Sequence, residues 1–73
     1  MWIKMPNGTL VNSEKVFIFD VDTGDGRSLY AQSESGGKRM VLAVYDNEQE
    51  AQDALKIISS ALHDGKNFLA LKY

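Results

Sequence analysis

The chain has 73 residues, eight Lys and Arg against ten Asp and Glu, one histidine and no cysteine. This length accommodates one small domain, and a net charge of −2 excludes a nucleic-acid binder of the usual basic kind. The missing cysteines exclude disulfides, thiolate zinc sites, iron–sulfur clusters and cysteine nucleophiles, and the single His63 removes most metal-site and triad arrangements.

The chain opens with a weakly alternating segment, Trp2 to Met5, that runs into Pro6-Asn7-Gly8 and then Thr9 to Asn12. Proline presets φ for a turn and glycine accepts positive φ, so this opening predicts a β-hairpin. Val16 to Asp22 is rich in β-branched and aromatic residues and predicts a strand. Thr23-Gly24-Asp25-Gly26 closes it, Ser28 to Ser33 returns, and Ser35-Gly36-Gly37 turns the chain again. Arg39 to Tyr45 is the strongest strand pattern of all.

The period then changes from two to 3.6. Asn47 with Glu50 three residues on is a capping-box arrangement. Ala51, Ala54, Leu55, Ile58, Ala61 and Leu62 form one stripe of an amphipathic helix, with Ile57 widening one edge. Glu48, Glu50 and Asp53 crowd its positive end, and His63 sits near its negative end. Gly65 is placed to end the helix, which would run from Glu48 to Asp64 over about 25 Å. Asn67 to Tyr73 returns to a strand-like pattern.

These elements predict an α+β fold across residues 1–73. It is an antiparallel β-meander of about five strands, with one amphipathic helix packed on one face and a short C-terminal strand. The longest apolar runs, Val16 to Phe19 and Met40 to Val44, fall far short of the roughly 20 residues that span a membrane. The N-terminus lacks the apolar run of a signal peptide. The expectation is a soluble cytoplasmic protein.

Several motifs invite chemistry and are better explained by geometry. Asp20, Asp22 and Asp25 with Gly24 and Gly26 resemble a calcium loop in composition. Counted from Asp20, however, Gly24, Asp25 and Ala31 fall where that loop needs a ligand, a glycine and a bidentate glutamate. A solvated hairpin tip is the simpler reading. Gly24-Asp25-Gly26 and Ser35-Gly36-Gly37 sit between strands, whereas a phosphate loop must enter a helix. His63 has Ser60 and Asp64 nearby, but a last-turn histidine more simply complements the helix dipole. The acidic run Asp46, Glu48, Glu50 and Asp53 is ordinary helix N-terminal charge placement. Neither a metal nor a cofactor is expected, and with no nucleophile–base pair the chain is not expected to be an enzyme.

The aromatic residues carry the most information. Phe17, Phe19, Tyr30 and Tyr45 all lie on predicted strands. Both faces of the Val16–Asp22 and Arg39–Tyr45 strands are apolar, and one helix about 10 Å wide cannot cover two faces of a sheet roughly 20 Å across. The aliphatic set Val16, Ile18, Met40, Leu42 and Val44 is assigned to the helix side. Phe17, Phe19, Tyr30 and Tyr45 are then left as an exposed interface.

Met1–Asn12 (MWIKMPNGTLVN) resembles the opening of many short, uncharacterised proteins of Gram-positive bacteria and their phages. Val41–Ala51 (VLAVYDNEQEA) resembles their strand-to-helix junction. The resemblance implies a phage or prophage accessory gene, a class that commonly encodes small inhibitors of host machinery, including defence systems. No functional residue carries over from it. The expected function is a non-enzymatic protein-binding module, homo-oligomeric, with one host protein as its further partner. The alternative is a binder of a nucleotide-like small molecule or of single-stranded nucleic acid through an aromatic sheet face. Arg27, Lys38 and Arg39 supply its only local positive charge.

Overall fold

Local turn chemistry builds the first hairpin. In the computed structural model, which describes residues 1–16, 18–33 and 38–71, β1 (Trp2–Lys4) pairs antiparallel with β2 (Leu10–Asn12). Pro6 and Asn7 lie within the turn closed by the Gly8 N–H donating to the Met5 carbonyl at 2.9 Å. Gly8 then takes φ +91°, a left-handed conformation open to glycine, and the Met5 N–H donates to the Thr9 carbonyl at 2.8 Å. Asn12 ends β2 and caps a single 3₁₀ turn, Ser13–Lys15, by accepting from the Glu14 N–H.

β3 (Ile18–Val21), β4 (Ser28–Gln32) and β5 (Met40–Val44) form an antiparallel meander in which β4 is central. The helix α1 (Glu48–His63) follows and contacts β3 and β4. Asn47 caps it through its side-chain oxygen, which accepts from the Glu50 N–H at 2.9 Å. The Glu50 carboxylate reaches one residue further back than a capping box requires, to the Asp46 N–H at 3.4 Å. The helix ends in a Schellman motif: Lys66 N–H donates to the Ala61 carbonyl, Gly65 N–H to the Leu62 carbonyl, and Gly65 has φ +69°.

The chain closes with β6 (Phe68–Ala70), which pairs parallel to β1. The α+β class, the single helix and the terminal strand are as the sequence predicts. The strands are divided, however, between two sheets ordered β2-β1-β6 and β3-β4-β5. The connection from β5 to β6 runs through the 16-residue helix α1 rather than a hairpin turn, and only such a long connection is free of the antiparallel sense that tight turns impose.

The two sheets and the helix share one core. Ile3, Leu29 and Ile58 are its largest fully buried side chains, with Met5, Val11, Val21, Leu42, Ala43, Ala51, Ala54 and Leu71 around them. The helix buries a narrow stripe of Ala51, Ala54, Ile58 and Ala61, and the short alanines let it approach the sheet closely. Leu62, expected inside, is 44% exposed. It falls on the rim of that stripe, where it lines a shallow groove with Phe19 and Leu55.

The expected aliphatic helix side is also corrected. Only Leu42 of that set is fully buried; Val16 packs partly against the core, and Ile18, Met40 and Val44 are exposed. Phe19 and Val21 register against Ala31 and Leu29, all on the helix side, which sends Ile18 to the outer face. A β-bulge between Leu29 and Tyr30 shifts the register of β5, so that neighbours Leu42 and Ala43 are both buried while Val41 and Val44 face outward.

A candidate protein-binding surface

Of the four aromatic residues expected to share one open face, the three described, Phe19, Tyr30 and Tyr45, do not do so. Phe17 lies outside the described residues. Phe19 is half-buried against the core on the helix side. Tyr45 belongs to the core itself, since the bulge returns it to the inner side after Val44. Burial there raises its hydroxyl pKa above the ordinary value. Tyr30 is opposite Asp20 and Val41 on the outer face, yet it is buried as well. The Arg39 guanidinium covers its ring at 4.4 Å from the centroid, a cation–π contact. The register thus separates residues that strand alternation alone had grouped.

The anticipated positive cluster is divided in the same way. Arg27 adjoins the Ser28–Val44 end of the β4–β5 pair, and Arg39 adjoins the Ala31–Met40 end. They stand a strand length apart, roughly 13 Å at about 3.3 Å per residue.

Exposed aromatic surface is found on the other sheet. Along β1, Ile3 is fully buried, so Trp2 and Lys4 point outward. Trp2 registers against Asn12 and Phe68, and Lys4 against Leu10 and Ala70. The outer face of β2-β1-β6 therefore presents Trp2, Leu10 and Phe68, which are 49%, 54% and 53% exposed. Lys4 stands in their midst, with cross-strand neighbours that cannot neutralise it. Trp2 is the sole tryptophan of the chain. Sequence reasoning passed over this set because three-residue strands give little periodic signal. One clue was available: Trp2/Lys4 alternates with Ile3/Met5, and Phe68/Ala70 with Leu69/Leu71, so each pair of large aliphatics claims the inner side.

Ser35-Gly36-Gly37 lies outside the described residues, and the acidic turn after β3 is occupied by structural work. Asp22 accepts from the Gly24 N–H at 2.7 Å. Asp25 accepts from the Arg27 and Ser28 N–H groups and, at 2.6 Å, from the Ser28 hydroxyl. The Ser28 hydroxyl, more than the two backbone donors, lowers the Asp25 pKa from 3.8 to about 2. Gly26 takes φ +70° and its N–H donates to the Asp22 carbonyl, closing the loop. Among the described residues, no group of three or more His, Asp or Glu side chains is placed to hold a metal ion. His63 is exposed in the last turn of α1. No described helix is long and apolar enough to cross a membrane.

Two grooves flank β6 on its helix side. One, of about 520 Å³, lies among Tyr45, Glu50, Asp53 and Leu71; the other, of about 510 Å³, lies among Lys56, Asp64, Lys66 and Phe68. Ile57 and Ala70 line both. Comparison with protein-family models, curated proteins and solved structures finds no match for this chain.

Proposed function

We propose that this protein is a non-enzymatic protein-binding module that engages its partner through the outer face of the β2-β1-β6 sheet. The observation that carries the reading is the half-exposed set Trp2, Leu10 and Phe68 on one face. Large aromatics held on a sheet are costly to leave in water and supply much of the binding energy at interfaces. Lys4 in their midst favours a partner that brings a carboxylate to an otherwise apolar contact.

The partner is a host protein, and the module also self-associates. A chain of this length buries only about 60% of its unfolded surface, so covering an apolar face adds stability that the core alone does not provide. The resemblance of Met1–Asn12 and Val41–Ala51 to short phage-encoded chains sets the biological frame: a cytoplasmic phage or prophage accessory protein that inhibits a host protein, such as a defence component, by occupying its surface. Steric inhibition asks for a rigid face and no reacting groups, and β-sheet residues supply such a face.

The test is affinity capture with the wild-type chain and with the Trp2→Ser/Phe68→Ser double variant. A host protein retained by the first and lost by the second, with the variant's circular dichroism unchanged, is the expected result. Equal retention by a folded variant refutes the reading. A second reading draws on the same geometry, since Trp2 and Phe68 flanked by Lys4 also form a stacking platform for unpaired bases. Salt-dependent binding of a labelled single-stranded oligonucleotide, abolished by Trp2→Ser, would favour that alternative.

A further inference from the structure

The edge of β6 and the groove beside it have a self-complementary pattern. In the order β2-β1-β6, only one side of β6 is paired among the described residues. The Trp2 N–H donates to the Asn67 carbonyl and the Leu71 N–H to the Lys4 carbonyl, so odd-numbered residues of this segment turn their backbone groups toward β1. Alternation then turns the N–H and C=O groups of Phe68 and Ala70 to the free edge. Phe-Leu-Ala carries no charge or proline, the devices that normally guard an edge. Next to it, Ile57 is 54% exposed on α1.

Charge is arranged along the same line. Of the two adjoining grooves, which meet at Ile57 and Ala70, one carries Glu50 and Asp53. The other carries Lys56 and Lys66, which outnumber the single Asp64 there. Ile57 and Ala70 form the apolar middle. A two-fold axis through the middle superposes the acidic end of one copy on the basic end of the next, which is the symmetry of an isologous interface.

We infer that this groove is occupied by a second copy of the chain, with β6 of each pairing antiparallel about a two-fold axis at Leu69. Phe68 then stands opposite Ala70 of the second copy and Ala70 opposite its Phe68. Each pair exchanges both backbone hydrogen bonds. The two sheets fuse into one of six strands, and the Ile57 side chains cover the joint. This rests on the self-association within the proposed function, and it leaves the outer Trp2 face free for a different protein.

Sedimentation equilibrium and light scattering test it. The wild-type chain is expected at twice 8.1 kDa, dissociating more readily at high salt. Lys56→Glu/Lys66→Glu and Glu50→Lys/Asp53→Lys should each weaken the dimer by about tenfold or more, and an equimolar mixture should restore it as a heterodimer. Ile57→Lys, on an exposed helix face, should give a folded monomer even where a charge-reversed chain folds poorly. A monomeric wild type at all concentrations overturns the inference, as does a dimer indifferent to Ile57→Lys. Trp2→Ser should leave the dimer intact. If it dissociates the dimer instead, the copies meet through the outer face and the edge assignment is wrong. Undiminished host-protein capture by Trp2→Ser with the dimer retained would count against the outer face alone.

Discussion

Trp2 and Phe68, near opposite ends of the chain, are register partners in the parallel β1–β6 pair, and both present about half their surface to solvent. Ile3 and Leu69, one step along each strand, face the core instead. The pair therefore adds little to packing beneath it. Trp2→Ser should change stability by no more than about 0.5–1 kcal/mol in denaturant titration, as surface substitutions do. A loss of several kcal/mol would place Trp2 in the core and remove it as a binding residue.

The helix tests the packing more severely. Ile58 is 1% exposed at the centre of the buried stripe, and Ile58→Ala should cost about 2–5 kcal/mol, enough to unfold much of the population of so small a domain. Leu62 on the rim should lose less than about 1 kcal/mol on the same truncation. Urea unfolding followed by circular dichroism separates the two, and equal losses would mean that the helix is rotated from the face described.

The helix start is held by one side chain. Asn47→Ala removes the acceptor for the Glu50 N–H and should destabilise the protein by about 0.5–2 kcal/mol. Asn47→Asp, which keeps that acceptor and adds charge at the positive end of the dipole, should restore most of the loss when the variants are compared by thermal melts. An unaffected Asn47→Ala variant would show that the cap is not formed in solution.

Asp25 supplies a pH signature. Its carboxyl pKa is depressed to about 2 in the folded chain, first by the Ser28 hydroxyl and then by the Arg27 and Ser28 amides. A depressed folded pKa stabilises above the unfolded value, and the stabilisation is lost as pH falls from about 3.8 through about 2. Carboxyl chemical shifts should report that low value, and Ser28→Ala should raise it. An Asp25 titrating at the ordinary value in the wild type would contradict the hairpin geometry. Because these oxygens already accept hydrogen bonds, millimolar calcium should leave the melting temperature unchanged; a clear rise would assign them to an ion instead.

What was legible in the sequence was local. The Pro6–Gly8 turn, the Asn47 cap and the Gly65 stop depend on residues within one turn of each other, and each forms as its residues predict. The pairing of β6 with β1 is a contact between chain ends, and no short-range pattern encodes its parallel sense. The faces of β5 were misassigned because strict alternation cannot foresee the bulge that buries both Leu42 and Ala43. The sequence shows Arg39 as part of a local positive cluster with Arg27 and Lys38, and its role as the cover over Tyr30 needs the third dimension. The candidate site was missed for a related reason: four aromatics in long strands drew attention from two in short ones.

The central claim is that the outer face of β2-β1-β6 binds protein, and the sole tryptophan lies within that face. With 5-fluorotryptophan at position 2, the fluorine resonance reports this face alone, whatever aromatics a captured host protein brings. Titrating that host protein should shift the resonance and shield it from solvent in proportion to complex formed. A complex that forms with the fluorine resonance unmoved and still solvent-exposed would contradict the account.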